Sequence, residues 1–150
     1  MMKWKRRKDQ YDKIDWIEKR IKEIWRAYGN RLPAIAIFLN NKDVITSFVR
    51  ELQDRDFFQN NGIDVVDGSQ GNVLGSSMQV RVYPINVVKG MEFDAVFFHN
   101  IDQTNIDDDM LKKYIYVGIS RAAFFLGVTL NIENDDIIKY FDSNIDWSII

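Results

Sequence analysis

Between residues 9 and 28, apolar side chains return every three or four positions, at Ile14, Ile17, Ile21, Ile24, Trp25 and Tyr28. That spacing predicts an amphipathic helix with one core-facing stripe and a charged opposite face. Gly29-Asn30 supplies its stop. Beyond Leu32-Pro33, the pattern changes to the continuous run Ala34-Ile35-Ala36-Ile37-Phe38-Leu39. A run without alternation fits a strand covered on both faces, as in a parallel sheet. Asn41 or Asp43 can cap a following helix whose stripe is Val44, Ile45, Phe48, Val49 and Leu52.

Further along, Ile63-Asp64-Val65-Val66 reads as a short strand, and Asp67 to Ser77, rich in Gly, Ser and Asn, as a loop. Residues 78–85 begin with strand-like alternation, which should end or bulge at Pro84 because proline has no N–H for a ladder. A buried strand is expected over 95–101, and an acidic start at Asp107-Asp108-Asp109 opens a helix running to about Ala122. Phe124 to Leu130 reads as a strand and Asp135 to Phe141 as a short helix. Strands separated by helical patterns predict an α/β layered domain with a mainly parallel sheet. In such sheets ligands gather at the carboxyl ends of the strands, so that edge is the expected binding edge.

At 150 residues and 17.7 kDa, the chain is expected to form a single domain over 1–150, with a basic N-terminal helix over 1–31 and an α/β core over 34–150. The absence of cysteine excludes a disulfide framework and a thiolate metal site, and fits a cytoplasmic location. With His99 as the single histidine, an imidazole-rich metal centre is not expected. No uninterrupted apolar segment reaches the ~18 residues of a membrane span. The net charge of −2 is unevenly distributed. Residues 1–31 hold 11 Lys and Arg against 5 acids, whereas the remainder holds 9 against 17. A basic head can meet nucleic-acid phosphates or can simply be a solvated helix face.

Two segments place charged residues against small ones at the edge of apolar runs. The first is Lys89-Gly90-Met91-Glu92-Phe93-Asp94, and the second Tyr116-Val117-Gly118-Ile119-Ser120-Arg121-Ala122. Gly90 has no Cβ, so a phosphate or ribose can come close to the backbone there. An ionised Glu92 only accepts hydrogen bonds and suits a sugar hydroxyl, while Lys89 is a flexible point charge. By itself this segment also reads as an ordinary turn. Arg121 lies between an apolar turn and an apolar strand, where a guanidinium calls for an anionic partner. That partner is either a phosphate or a nearby carboxylate such as Glu92 or Asp107 to Asp109.

In this order and setting, the segments resemble motifs V and VI of UvrD/Rep-type superfamily 1 helicases, over roughly residues 80–131. Segment 34–53 resembles the motif IV region less specifically. The resemblance implies the second RecA-like domain (2A) of such a helicase, a three-layer α/β fold related to the P-loop NTPases but without its own Walker A sequence. It also implies an ATP site with Mg2+ shared between two domains, the metal being held by a first RecA-like domain that carries Walker A and B. Single-stranded DNA or RNA is the implied second partner. On this chain the resemblance gives Arg121 the arginine-finger role on the γ-phosphate. It assigns Gly90, Glu92, Lys89 and Ser120 to nucleotide contact, and Asn86 and Lys89 to nucleic-acid contact. Asn86 stands where motif V commonly has histidine, Val87-Val88 replace small residues, and Asn40-Asn41 stand where the motif IV region often ends in arginine. The implied protein hydrolyses ATP only when the missing domain is docked. A non-catalytic interaction module with the same fold, binding protein or nucleic acid, is the alternative.

Remaining candidates have simpler readings. His99 is expected to be a hydrogen-bonded structural histidine, and Asp107 to Asp109 a helix start rather than a magnesium cluster. Trp16 and Trp25 fall in the first helix and are assigned to packing rather than base stacking. Asp67-Gly68-Ser69-Gln70-Gly71 lacks the Gly-Lys-Ser/Thr ending of a phosphate loop.

Overall fold

A computed structural model describes residues 10–70, 78–87, 92–100, 109, 110, 113, 116 and 122–129. Helix α1 (Gln10–Ala27) leads into strand β1 (Ile35–Leu39), and a 3-10 turn (Lys42–Val44) into α2 (Ile45–Gln53) and the short α3 (Asp56–Asn60). Strands β2 (Asp64–Asp67), β3 (Gln79–Pro84), β4 (Phe93–His99) and β5 (Ala122–Thr129) complete a five-stranded sheet ordered β2-β3-β1-β4-β5. Every strand pair is parallel. The fold is therefore the expected α/β domain. No helix among the described residues is long and apolar enough to cross a membrane.

β1 lies at the centre, with all five residues buried, which is why its sequence is uniformly apolar. On one face, Ile35, Ile37 and Leu39 join Val80, Val82, Ala95, Phe97 and Phe125 beneath α1 to α3. Ile14, Ile17, Ile21 and Ile24 of the α1 stripe enter this core together with Trp16. On the other face, Phe38 stacks on Tyr83 at 5.7 Å and meets Phe93 and Phe98 edge-on or tilted. Gln53 covers the free edge of β2: its Oε1 accepts from Val65 N at 2.7 Å and its amide donates to Ile63 O. A side chain thus satisfies backbone groups that an open edge would expose.

Several boundaries differ from expectation. Tyr28 lies past the end of α1 and is 42% exposed, because Gly29 and Asn30 turn the chain with φ of 67° and 61°. Val44 belongs to the 3-10 turn capped by Asn41, whose side chain accepts from Asp43 N, and is exposed rather than in the stripe. Pro84 ends β3 as expected. β4 begins two residues earlier than predicted, with a register shift between Phe93 and Ala95. β5 begins at Ala122, which the sequence reading gave to the preceding helix. Asp109, Met110, Lys113 and Tyr116 have helical backbone; the expected helix at 135–141 lies outside the described residues.

Gly127 in β5 has a packing reason. A Cβ there would lie 2.7 Å from Cδ1 of Phe97 and 3.1 Å from Cε1 of Phe125. Gly127→Ala is therefore expected to cost about 1–3 kcal/mol, read as a lower urea midpoint with an unchanged m-value.

Candidate functional site

The quoted motifs reach the sheet at its amino end. Glu92 is exposed and immediately precedes β4, while Ala122, the residue after Arg121, opens β5. Phe93 and Ala122 are registered partners on adjacent strands, which lie about 4.8 Å apart. Asp94, the last residue of the Lys-Gly segment, fastens this corner. Its Oδ2 accepts from Ala34 N at 2.9 Å, and its own N–H donates to Ala34 O at 2.9 Å. The α1–β1 connection is thereby pinned beside Glu92. Partial burial, and secondarily the charge of Asp94, raises the pKa of the nearby Tyr28 phenol.

The other end of the sheet has a different character. Asn86 is exposed in the 3-10 turn Ile85–Val87, directly after β3. The connection 85–92 therefore links the carboxyl end of β3 to the amino end of β4, the two ends being separated by about 17 Å, one strand length. At the carboxyl ends of β1 and β4, a pocket of about 120 Å3 is lined by Leu39, Asn40, Phe48, Glu51, His99 and Asn100 among others.

Beneath that pocket runs a buried polar chain. Lys13 Nζ donates to Asn100 Oδ1 at 2.6 Å. Asn100 Nδ2 lies 3.3 Å from His99 Nε2, and His99 Nδ1 lies 2.8 Å from Thr129 Oγ1. All four residues are buried. Both ring nitrogens of His99 are engaged, as expected of a structural histidine. Burial, and secondarily the Lys13 charge, lowers the His99 pKa from 6.5 to about 3. Between those values the unfolded chain binds a proton that the folded chain refuses, so stability falls as pH falls. Urea unfolding between pH 7.5 and 5, above the ordinary carboxylate range, should show a loss of about 2 kcal/mol.

The predicted site residues divide accordingly. Asn86 and Glu92 are described, both exposed, and at opposite ends of the sheet. Lys89, Gly90, Ser120 and Arg121 lie outside the described residues, as do Asp107 and Asp108. The motifs were expected at the carboxyl edge or on the adjoining helix: Tyr116 has helical backbone, Glu92 leads into the start of β4, and the polypeptide enters β5 at that same amino edge. Sequence reasoning also missed Lys13, Asn100, Thr129 and the staple made by Asp94. Lys13 stands four residues before Ile17 on the apolar stripe, a spacing that placed it facing the core.

Comparison with known proteins bears on this geometry. Residues 79–128, spanning β3, β4 and most of β5, match the family of UvrD-like helicase C-terminal domains. Among solved structures, the C-terminal domain of a possible DNA helicase from Lactobacillus plantarum WCFS1 is similar in fold, with a TM-score of 0.60 and 19% identity. The likeness covers 85% of this chain and 71% of that one. No curated protein matches the chain in sequence. The segment that carries both quoted motifs, residues 79–128, is thus similar to UvrD-like helicase C-terminal domains, and the fold as a whole is similar to that of the solved helicase domain.

Proposed function

We propose that this chain supplies the second half of an interdomain ATP site in a superfamily 1 DNA or RNA helicase, and hydrolyses ATP only when a Walker A-bearing first domain docks on it. The observation that carries this reading is the register Phe93↔Ala122, since these residues follow Glu92 and Arg121 in the chain. Two residues 29 positions apart in sequence, Phe93 and Ala122, meet at one sheet corner. In this reading Arg121 meets the γ-phosphate, where a guanidinium offsets the charge spread over the transferring group. Glu92, exposed at the same edge, accepts from a ribose hydroxyl, and Gly90 lets the backbone approach. Lys89 adds positive charge and Ser120 a positioning hydroxyl. Magnesium ligands and the β-phosphate cradle come from the partner domain.

The connection 85–92 gives the reading its mechanical content. Asn86 is at the carboxyl edge and Glu92 at the amino edge, so one short segment touches both ends of the sheet. With Asn86 and Lys89 on single-stranded nucleic acid and Glu92 on nucleotide, a shift at one end is transmitted to the other through eight residues. The test is ATP turnover by the chain alone and after addition of a first domain in trans. Negligible turnover alone, with turnover appearing on mixing and rising with single-stranded nucleic acid, is expected. Turnover by the isolated chain would overturn the reading.

A further inference from the structure

We propose that Lys13, Asn100, His99 and Thr129 form a one-way latch between α1 and the carboxyl ends of β4 and β5, which opens when the imidazole gains a second proton. This inference is independent of the motor reading.

The direction of every hydrogen bond in the latch is set from one end. The Lys13 ammonium can only donate, so the group it meets at 2.6 Å must be the amide oxygen of Asn100. That fixes the Asn100 amide NH2 toward His99 Nε2, which must then carry a lone pair. The imidazole proton consequently sits on Nδ1 and is donated to Thr129 Oγ1 at 2.8 Å. The same hydroxyl oxygen also accepts from Asn100 N at 3.2 Å, and Asn100 N donates to Thr129 O at 3.0 Å. Asn100 holds a φ of 53°, a left-handed conformation that asparagine tolerates better than most residues.

A second proton has no acceptor in this arrangement. On Nε2 it would face the Asn100 amide NH2, donor against donor. Turning the amide over would satisfy the imidazolium but set its NH2 against the Lys13 ammonium. One link must break in either case, and both lie where α1 meets the sheet. Around the ring stand Phe48 of α2, with centroids 5.0 Å apart, and the charge of Lys13 from α1. Glu51, also from α2, is the one acid among the described residues that line the adjoining pocket, and offers a released imidazolium an anionic partner. No charged group of β1 or β5 faces the ring among the described residues. The low proton affinity of His99 agrees with this geometry.

Because His99 is the only histidine, nitrogen NMR of the 15N-labelled full chain reports on the latch without assignment ambiguity. At pH 7 the ring should be the Nδ1–H tautomer, and it should not titrate near 6.5. When acid finally protonates it, amide exchange in α1 should quicken by roughly tenfold or more while β1 stays protected. Asn100→Asp replaces the donor facing Nε2 by an acceptor, and aspartate also tolerates the left-handed backbone. Its histidine should titrate at higher pH than in the parent, with α1 protection retained through the titration. Lys13→Met removes the group that orients the amide, so it too should raise the midpoint, and it carries the test should Asn100→Asp not fold. An Nε2–H tautomer at pH 7, or titration near 6.5 with unchanged α1 exchange, would overturn the latch. So would a midpoint that fails to rise in whichever of the two variants folds.

Discussion

Arg121→Ala is expected to reduce ATP turnover of the chain, assembled with a Walker A-bearing first domain, by about 10³–10⁵. The size of the effect follows from what a guanidinium does at a phosphoryl group. Charge spreads over the equatorial oxygens in the transition state, and a preorganised cation stabilises it in a site closed to water. Lysine should not rescue fully, because a point charge cannot bond two oxygens from a planar fork. Under the interaction-module alternative the same substitution would leave partner binding untouched. Circular dichroism and the urea midpoint of the variant, measured on the chain alone, should match the parent. A variant that turns over ATP at the parental rate would remove Arg121 from the site.

The largest stability effect is expected at Phe97. It is 1% exposed in the middle of β4, meets Trp16 of α1 edge-on at 6.3 Å, and meets Phe125 of β5 at 5.1 Å. Its ring also occupies the space left by the missing Cβ of Gly127. Phe97→Ala removes the contact that ties α1 to β4 and β5 and leaves a cavity that rigid strands cannot close. The expected loss is about 3–5 kcal/mol, a large part of the ~5–15 kcal/mol that holds a domain together. Val44→Ala, at a 37% exposed position, should change stability by roughly 0.5 kcal/mol or less. Urea unfolding of both variants checks the contrast.

The fold was legible wherever a residue's pattern reflects what covers it. The unbroken run at 34–39 announced a strand buried on both faces, and β1 is that strand, at the centre of the sheet. The three-and-four spacing of isoleucines announced the inward face of α1. Pro84 marked the end of β3 because it has no N–H to give. Periodicity puts Lys13 on the inward face of α1 but could not convey which distant polar residue meets it there. Lys13 sits among isoleucines on the buried side of α1, and its partner Asn100 is 87 residues away. No local rule connects them.

The candidate site shows the same division. The two motifs were recognisable as short charged segments beside apolar runs, yet their edge of the sheet was not. Strand order and register decide that edge, and both depend on contacts between distant segments. Ala122 read as the last residue of a helix because alanine suits one; pairing with Phe93 makes it the first residue of β5. Asp94 read as part of a turn, whereas its carboxylate holds the entrance to β1.

The central claim, that nucleotide is met at the amino end of β4 and β5, is tested most directly by photolabelling. An azido-ATP analogue would be irradiated in the complex with a first domain, and labelled peptides mapped by mass spectrometry. The account predicts label on segments containing Glu92 or Arg121, abolished by excess ATP. Label confined to the opposite edge, on residues 39–51 or on His99 and Asn100, would contradict it.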